Sequence, residues 1–178
     1  MYALRLLPFL SLLTLLLAPL QANAEDPFKP FYGEYSGQAV TSVGEVEKRE
    51  LDVSISPLRR GFTLGWSTTV HRASGKIKQA KFSIDFKSTQ RDGVFSSGMR
   101  NGKFGNKIPL DPLNGDPFVW ATVSGKTLVV NSLLVLEDGG YEMQTYKRTL
   151  TATGLDLQFS RVRNGKNLKL IEGMLTRK

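Results

Sequence analysis

From residue 25 onward, apolar residues recur at every second position of the chain. Leu51, Val53 and Ile55 alternate with Asp52, Ser54 and Ser56. Phe62, Leu64, Trp66, Thr68 and Val70 keep the same period, and Ala80, Phe82, Ile84 and Phe86 alternate with Lys81, Ser83, Asp85 and Lys87. A period of two sets one side of a strand against a core and the other in water, the pattern of antiparallel sheet. Helical periodicity does not run beyond about two turns anywhere in this part of the chain. Short clusters punctuate the apolar runs: Pro57 to Gly61, Ala73-Ser74-Gly75, Ser124-Gly125, Asp138-Gly139-Gly140, Thr153-Gly154 and Asn164-Gly165. Such clusters accept the backbone angles of tight hairpins, so each strand should lie beside the next. About eight to ten strands in a meander predict an all-β fold, a single antiparallel up-and-down barrel, because closure removes both exposed edges. A two-sheet β-sandwich is the alternative.

The C-terminal hairpins predict which side chains share the interior. A two-residue turn at Asn164-Gly165 sets Arg163 opposite Lys166, Arg161 opposite Leu168, Phe159 opposite Leu170, Leu157 opposite Glu172 and Leu155 opposite Met174. The turn at Ala152-Thr153 sets Leu157 opposite Arg148, Phe159 opposite Tyr146 and Arg161 opposite Gln144. The side bearing Leu155, Leu157 and Phe159 is apolar and faces inward, which carries Tyr146, Arg148, Arg161 and Glu172 inward with it. A buried arginine requires an anionic or hydrogen-bonding partner. Two interiors satisfy that requirement: an internal Arg148–Glu172 ion pair in a filled barrel, or a cavity whose ligand brings the anion. In Leu133 to Leu136 the expected phase puts Leu133 and Val135 inside and Leu134 and Leu136 outside.

The N-terminus adds a compartment. Arg5, the apolar run Leu6 to Leu20 and the small residues Ala22-Asn23-Ala24 follow the order of a secretory signal, and the run is shorter than a membrane-spanning helix needs. Residues 1–24 are therefore expected to be a cleaved signal peptide and residues 25–178 one β-barrel domain, periplasmic or extracellular after cleavage near Ala24. The chain contains no cysteine, which excludes disulfides, thiol chemistry and cysteine-ligated metals. Its net charge of +8 loses one unit with Arg5 and favours anionic partners, an envelope surface among them, although a single-sign charge also serves solubility.

Candidate chemistry changes this picture little. His71 is the sole histidine and flanks a turn, without the cluster a metal site requires. Asp111 and Asp116 each precede a proline and read as turn initiators rather than as an acid/base pair. No Gly-x-Ser-x-Gly elbow or phosphate-cradling loop is present. Lys76, Lys78, Lys81, Lys87, Arg91, Arg100, Lys103 and Lys107 crowd one third of the chain, but alternation puts Phe82 and Phe86 on the opposite face, whereas nucleic acid stacks on exposed rings. From Ser97 to Pro117 a segment rich in Gly, Pro and Asn breaks the strand rhythm, and reads either as a lid over the barrel mouth or as a crossover that plugs one end.

The export signal, the meander and Gly33-Glu34-Tyr35 at the start of the first strand together resemble the calycin superfamily, the lipocalins and fatty-acid-binding proteins. Lipocalins have Gly-x-Trp there, and this chain carries Tyr35 in the tryptophan position. The inward arginines and tyrosine also resemble the carboxylate-holding groups of fatty-acid-binding proteins. The resemblance implies a barrel with a cavity for lipophilic small molecules. The expectation is thus a monomeric, exported barrel that binds a lipophilic, anionic small molecule without transforming it, with no catalytic residue, metal or other cofactor and no nucleic-acid partner. Tyr146, Arg148 and Arg161 would hold the head group, and Trp66, Phe82, Phe86 and Trp120 would line the apolar part. The alternative is an envelope-associated interaction protein with a filled barrel and a basic partner-binding surface.

Overall fold

The computed structural model describes residues 26–43, 48–72, 74–98, 100–101, 107–108 and 110–178. The expected signal peptide, residues 1–24, lies outside them. The strands are β1 (Gly33–Val43), β2 (Lys48–Leu58), β3 (Gly61–His71), β4 (Ile77–Ser88), β5 (Val94–Ser97), β6 (Arg100–Asn101), β7 (Lys107–Ile108), β8 (Phe118–Ser124), β9 (Thr127–Val135), β10 (Tyr141–Leu150), β11 (Gly154–Arg163) and β12 (Lys166–Arg177). Among the described residues ten of them form a closed antiparallel barrel in the order β1-β12-β11-β10-β9-β8-β5-β4-β3-β2, and β6 pairs with β7 as a separate ladder. This is the up-and-down barrel that the alternating pattern predicts. β2 shows why: Leu51, Val53 and Ile55 are buried, while Asp52, Ser54 and Ser56 are exposed. Asn164 and Gly165 both adopt positive φ, 47° and 79°, the two-residue hairpin geometry their side chains tolerate best.

The barrel has two unlike halves. At the end holding the 59–60, 125–126 and 151–153 turns, the chain before β1 folds back as a 3₁₀ turn, Lys29–Phe31, and inserts Phe28 and Phe31 into the interior. Phe28 packs on Phe62 and Phe95 with ring centroids 4.1 and 4.5 Å apart, and Phe62 stacks on Phe86 at 4.9 Å. Arg177 fastens this plug: it donates to the carbonyls of Pro30 (2.7 Å) and Tyr32 (2.8 Å) and to the Tyr35 hydroxyl (2.8 Å), and its guanidinium lies over the Tyr35 ring. The Tyr35 hydroxyl in turn donates to the carbonyl of Phe31 at 2.7 Å.

Two expectations are corrected. A β-bulge between Arg161 and Val162 on β11 leaves Leu168 unpaired, so Arg161 faces Lys169, Phe159 faces Ile171 and Leu157 faces Gly173. That one-residue shift turns Glu172 and Met174 outward and brings Ile171 and Leu175 into the core. Glu172 accepts from Gln158 on the outer surface and makes no pair with Arg148. On β9 the phase is the reverse of that expected: Leu128 and Val130 are buried, and Leu134 opposes buried Glu142, so Leu133 and Val135 point outward. An unbroken apolar run carries no polar alternation to set its phase, and the tight turn after Ser124 sets it instead. The segment between β5 and β8, expected as a lid or a plug, has residues 99, 102–106 and 109 outside the described ones. Its Leu110 and Pro117 border a groove on the barrel flank, with Ser83, Asp85, Ser97 and Gly98, and Asp111 caps its 3₁₀ turn by accepting from the backbone of Leu113. Lys103 of the basic cluster lies outside the described residues.

Candidate functional site

The half of the barrel away from the aromatic plug contains a cavity of about 340 Å³. Inward positions of β2 (Arg49, Leu51, Val53), β3 (Trp66, Thr68, Val70), β4 (Lys78, Ala80, Phe82), β10 (Gln144, Tyr146, Arg148), β11 (Leu157, Phe159, Arg161) and β12 (Lys169, Ile171) form its wall. The parity that predicts these faces from β10 and β11 is correct: Gln144 pairs with Arg161, Tyr146 with Phe159 and Arg148 with Leu157.

Along β10, starting from the 136–140 turn, Glu142, Gln144, Tyr146 and Arg148 project inward in that order, so Arg148 lies about 7 Å deeper than Tyr146. Each level has a different character. At the outer level Glu142, only 2% exposed, accepts from Arg161 Nη2 at 2.7 Å, Arg163 Nη2 at 3.0 Å and Gln144 Nε2 at 2.8 Å. Burial pushes this carboxyl up, but the hydrogen bonds from Arg161, Gln144 and Arg163 outweigh burial and hold it at about 2. Glu142 is thus an anion at neutral pH, shared by Arg161 and Arg163. Gln144 passes the order one step inward by accepting from the Tyr146 hydroxyl at 3.1 Å.

The middle level is a belt of rings. Trp66 and Phe82 are directly opposed across β3 and β4 and stack at 5.0 Å with an interplanar angle of 24°. Trp66 reaches across the interior to Tyr146 at 5.7 Å, and Tyr146 contacts Phe159 at 4.6 Å. Burial raises the Tyr146 phenol against the pull of Arg148 and Arg161, so it stays protonated at neutral pH.

At the floor sits Arg148, 1% exposed. Its Nε and Nη1 are buried with no hydrogen-bond partner among the described residues, and its nearest electrostatic companion is the Tyr146 ring, 5.7 Å from the guanidinium carbon. Burial lowers the guanidinium to about 10, which leaves it charged at neutral pH. A cation held this way costs several kcal/mol unless an anion or an acceptor joins it.

Of the seven residues expected from sequence, Tyr146, Arg148, Arg161, Trp66 and Phe82 meet at this cavity. Phe86 does not: it is fully buried against Phe62 in the plugged half. Trp120 does not either. On β8 the inward positions are Val119 and Ala121, and Trp120 lies on the outer face against Phe118. Glu142 and Phe159 belong to the site and were absent from that set, although Glu142 shares the parity of Tyr146 and Arg148 and stands opposite Arg163 one pair beyond Gln144. His71, at the turn-side end of β3, is exposed with Glu50 at 3.4 Å. Among the described residues no three His, Cys, Asp or Glu side chains gather as a metal site would need.

No protein-family model and no curated protein matches the chain. Among solved structures, the S-type phycobiliprotein lyase CPES from Guillardia theta is matched at a TM-score of 0.37 and 8% identity, over 85% of this chain and 90% of that one. Overlap at that level carries no chemistry from one protein to the other, and the functional reading rests on the cavity itself.

Proposed function

We propose that this is an exported binding protein that takes a lipophilic, anionic small molecule into the open half of its barrel and holds it unchanged. The observation that carries the reading is Arg148, a buried guanidinium with two nitrogens lacking acceptors among the described residues, below a belt of aromatic rings in a cavity whose wall also carries the cationic side chains of Arg49, Lys78, Arg161 and Lys169. Its planar fork suits a carboxylate bidentately, and an anion that displaces the side chains packed over it would satisfy donors that have no acceptor among the described residues. The groups around it are binding groups: a guanidinium that stays charged and a phenol that stays protonated supply attraction and hydrogen bonds rather than proton transfer at neutral pH. Export is supported by the pattern of residues 1–24. Such a protein would act as a monomer.

A second reading, an interaction protein of the cell envelope, draws on the outer face of β8–β10. There Phe118, Leu133 and Met143 align across three strands beside Trp120 and Tyr141, with Phe118 47% and Tyr141 44% exposed.

Native mass spectrometry separates the two. The mature protein, purified gently from its own host's extracytoplasmic fraction, is expected to carry a reproducible extra mass that organic extraction removes and that the Arg148→Met variant lacks. A bare polypeptide mass in repeated preparations would remove the carrier reading and favour the envelope-interaction one.

A further inference from the structure

Building on that reading, we infer that the cavity selects a flat, ring-bearing carboxylate, bound with its acid inward on Arg148 and its ring against Trp66 and Phe82. The charge follows from how the polar groups are already committed. Arg161 shares Glu142 with Arg163, and the Tyr146 hydroxyl donates to Gln144. Below that level the Nε and Nη1 of Arg148 are buried without an acceptor among the described residues, which places the acid there.

The shape of the ligand follows from β4. This strand pairs with β5 only at Phe86, Lys87 and Ser88, and among the described residues no strand pairs with its residues 77–84 on that side. Among the described residues this stretch of β4, beside the cavity, thus has a strand neighbour on one side only. Phe82 shows the consequence: it occupies an inward position, as Phe86 does, yet it is 50% exposed whereas Phe86 is fully buried. A half-exposed phenylalanine stacked flat on a tryptophan leaves a ring face open to the cavity. Aromatic quadrupoles favour an offset or edge-on ring there over a flexible chain, which also loses more rotational freedom on binding. At the packing density of protein interiors, about 0.75, the 340 Å³ cavity accommodates on the order of fifteen non-hydrogen atoms, the size of a two-ring acid.

The test is an equilibrium titration at neutral pH, followed by quenching of Trp66 fluorescence in a Trp120→Phe background. Three probes of similar size are compared: biphenyl-4-carboxylate, biphenyl-4-carboxamide with the same shape and no charge, and dodecanoate with the same charge on a chain. Biphenyl-4-carboxylate is expected to bind at least tenfold more tightly than either of the others. Arg148→Met should bring it down to the level of the carboxamide. Phe82→Leu should bring its preference over dodecanoate close to one. Lys81→Ala, on the outer face of the same strand, should leave all three affinities within about twofold.

Dodecanoate binding as tightly as the biphenyl acid, with both lost in Arg148→Met, would overturn the ring selectivity and leave the anion-binding reading standing. Carboxylate preference that survives Arg148→Met would overturn the inward placement of the acid. Failure of all three probes, together with a bare native mass, would remove the underlying binding reading as well.

Discussion

Arg148 sits where an apolar side chain would pack best, and the physics of that position separates binding from stability. In an internal ion pair, removing one partner leaves the other charge stranded and is strongly destabilising. Arg148 has no such partner among the described residues, since Glu172 faces outward and Glu142 is engaged by Arg161 and Arg163. Replacing it with methionine, of similar length and no charge, removes a desolvation penalty and strands nothing. Arg148→Met should therefore be more stable than the parent protein without ligand, by about 2 kcal/mol or about 5 °C in Tm, while its ligand affinity falls. A thermal melt of extracted protein decides the sign, and a lower Tm for the variant would mean that Arg148 has an interaction partner within the fold. Tyr146, Arg148 and Arg161 were legible as inward residues because two turns fix their parity. That Arg161 shares a carboxylate and Arg148 does not depends on Glu142, Arg163 and the depth of each position, which no spacing of residues displays.

At the scale of elements, the chain ahead of β1 behaves as a stopper. Phe28 and Phe31 are almost fully buried although they precede the first strand, and Arg177 from the last strand ties their backbone down. Their contribution is expected to be that of core residues. Phe28→Ala should cost about 3–5 kcal/mol, and with it about 10 °C in Tm. Calorimetry tests this, and a change below about 2 °C would show that the plug is not part of the cooperative unit. The sequence shows no alternation around Phe28 and Phe31, so nothing in it marks them as interior. The bulge on the β11–β12 hairpin was hidden for a related reason. Asn164-Gly165 fixes the turn correctly, but the slip falls only a few residues later, and the packing of Ile171 and Leu175 in the core selects it.

The whole molecule is half filled and half open, and ligand binding should register as stability. A ligand that binds only the folded barrel adds about 2.7 kcal/mol at a concentration one hundredfold above its Kd, or about 8 °C in Tm for a chain of this size. Restoring the extracted material to stripped protein should reproduce that shift, and stripped and reloaded protein melting together would show that the extracted material does not bind the folded state. The amino-acid sequence by itself determined the all-β class, the meander, the tight turns and the inward parity of β2, β3, β4, β10 and β11, because alternation and turn chemistry are local properties read over a few residues. Only the tertiary structure decided the phase of β9, the slip on β12, the stopper at one end and the half-exposure of Phe82 on β4. Each depends on which distant surfaces compete for the same interior volume. The division between a packed half and a cavity with a lone guanidinium at its floor is such a property, since it arises only when the ten strands close and the space they enclose is shared out.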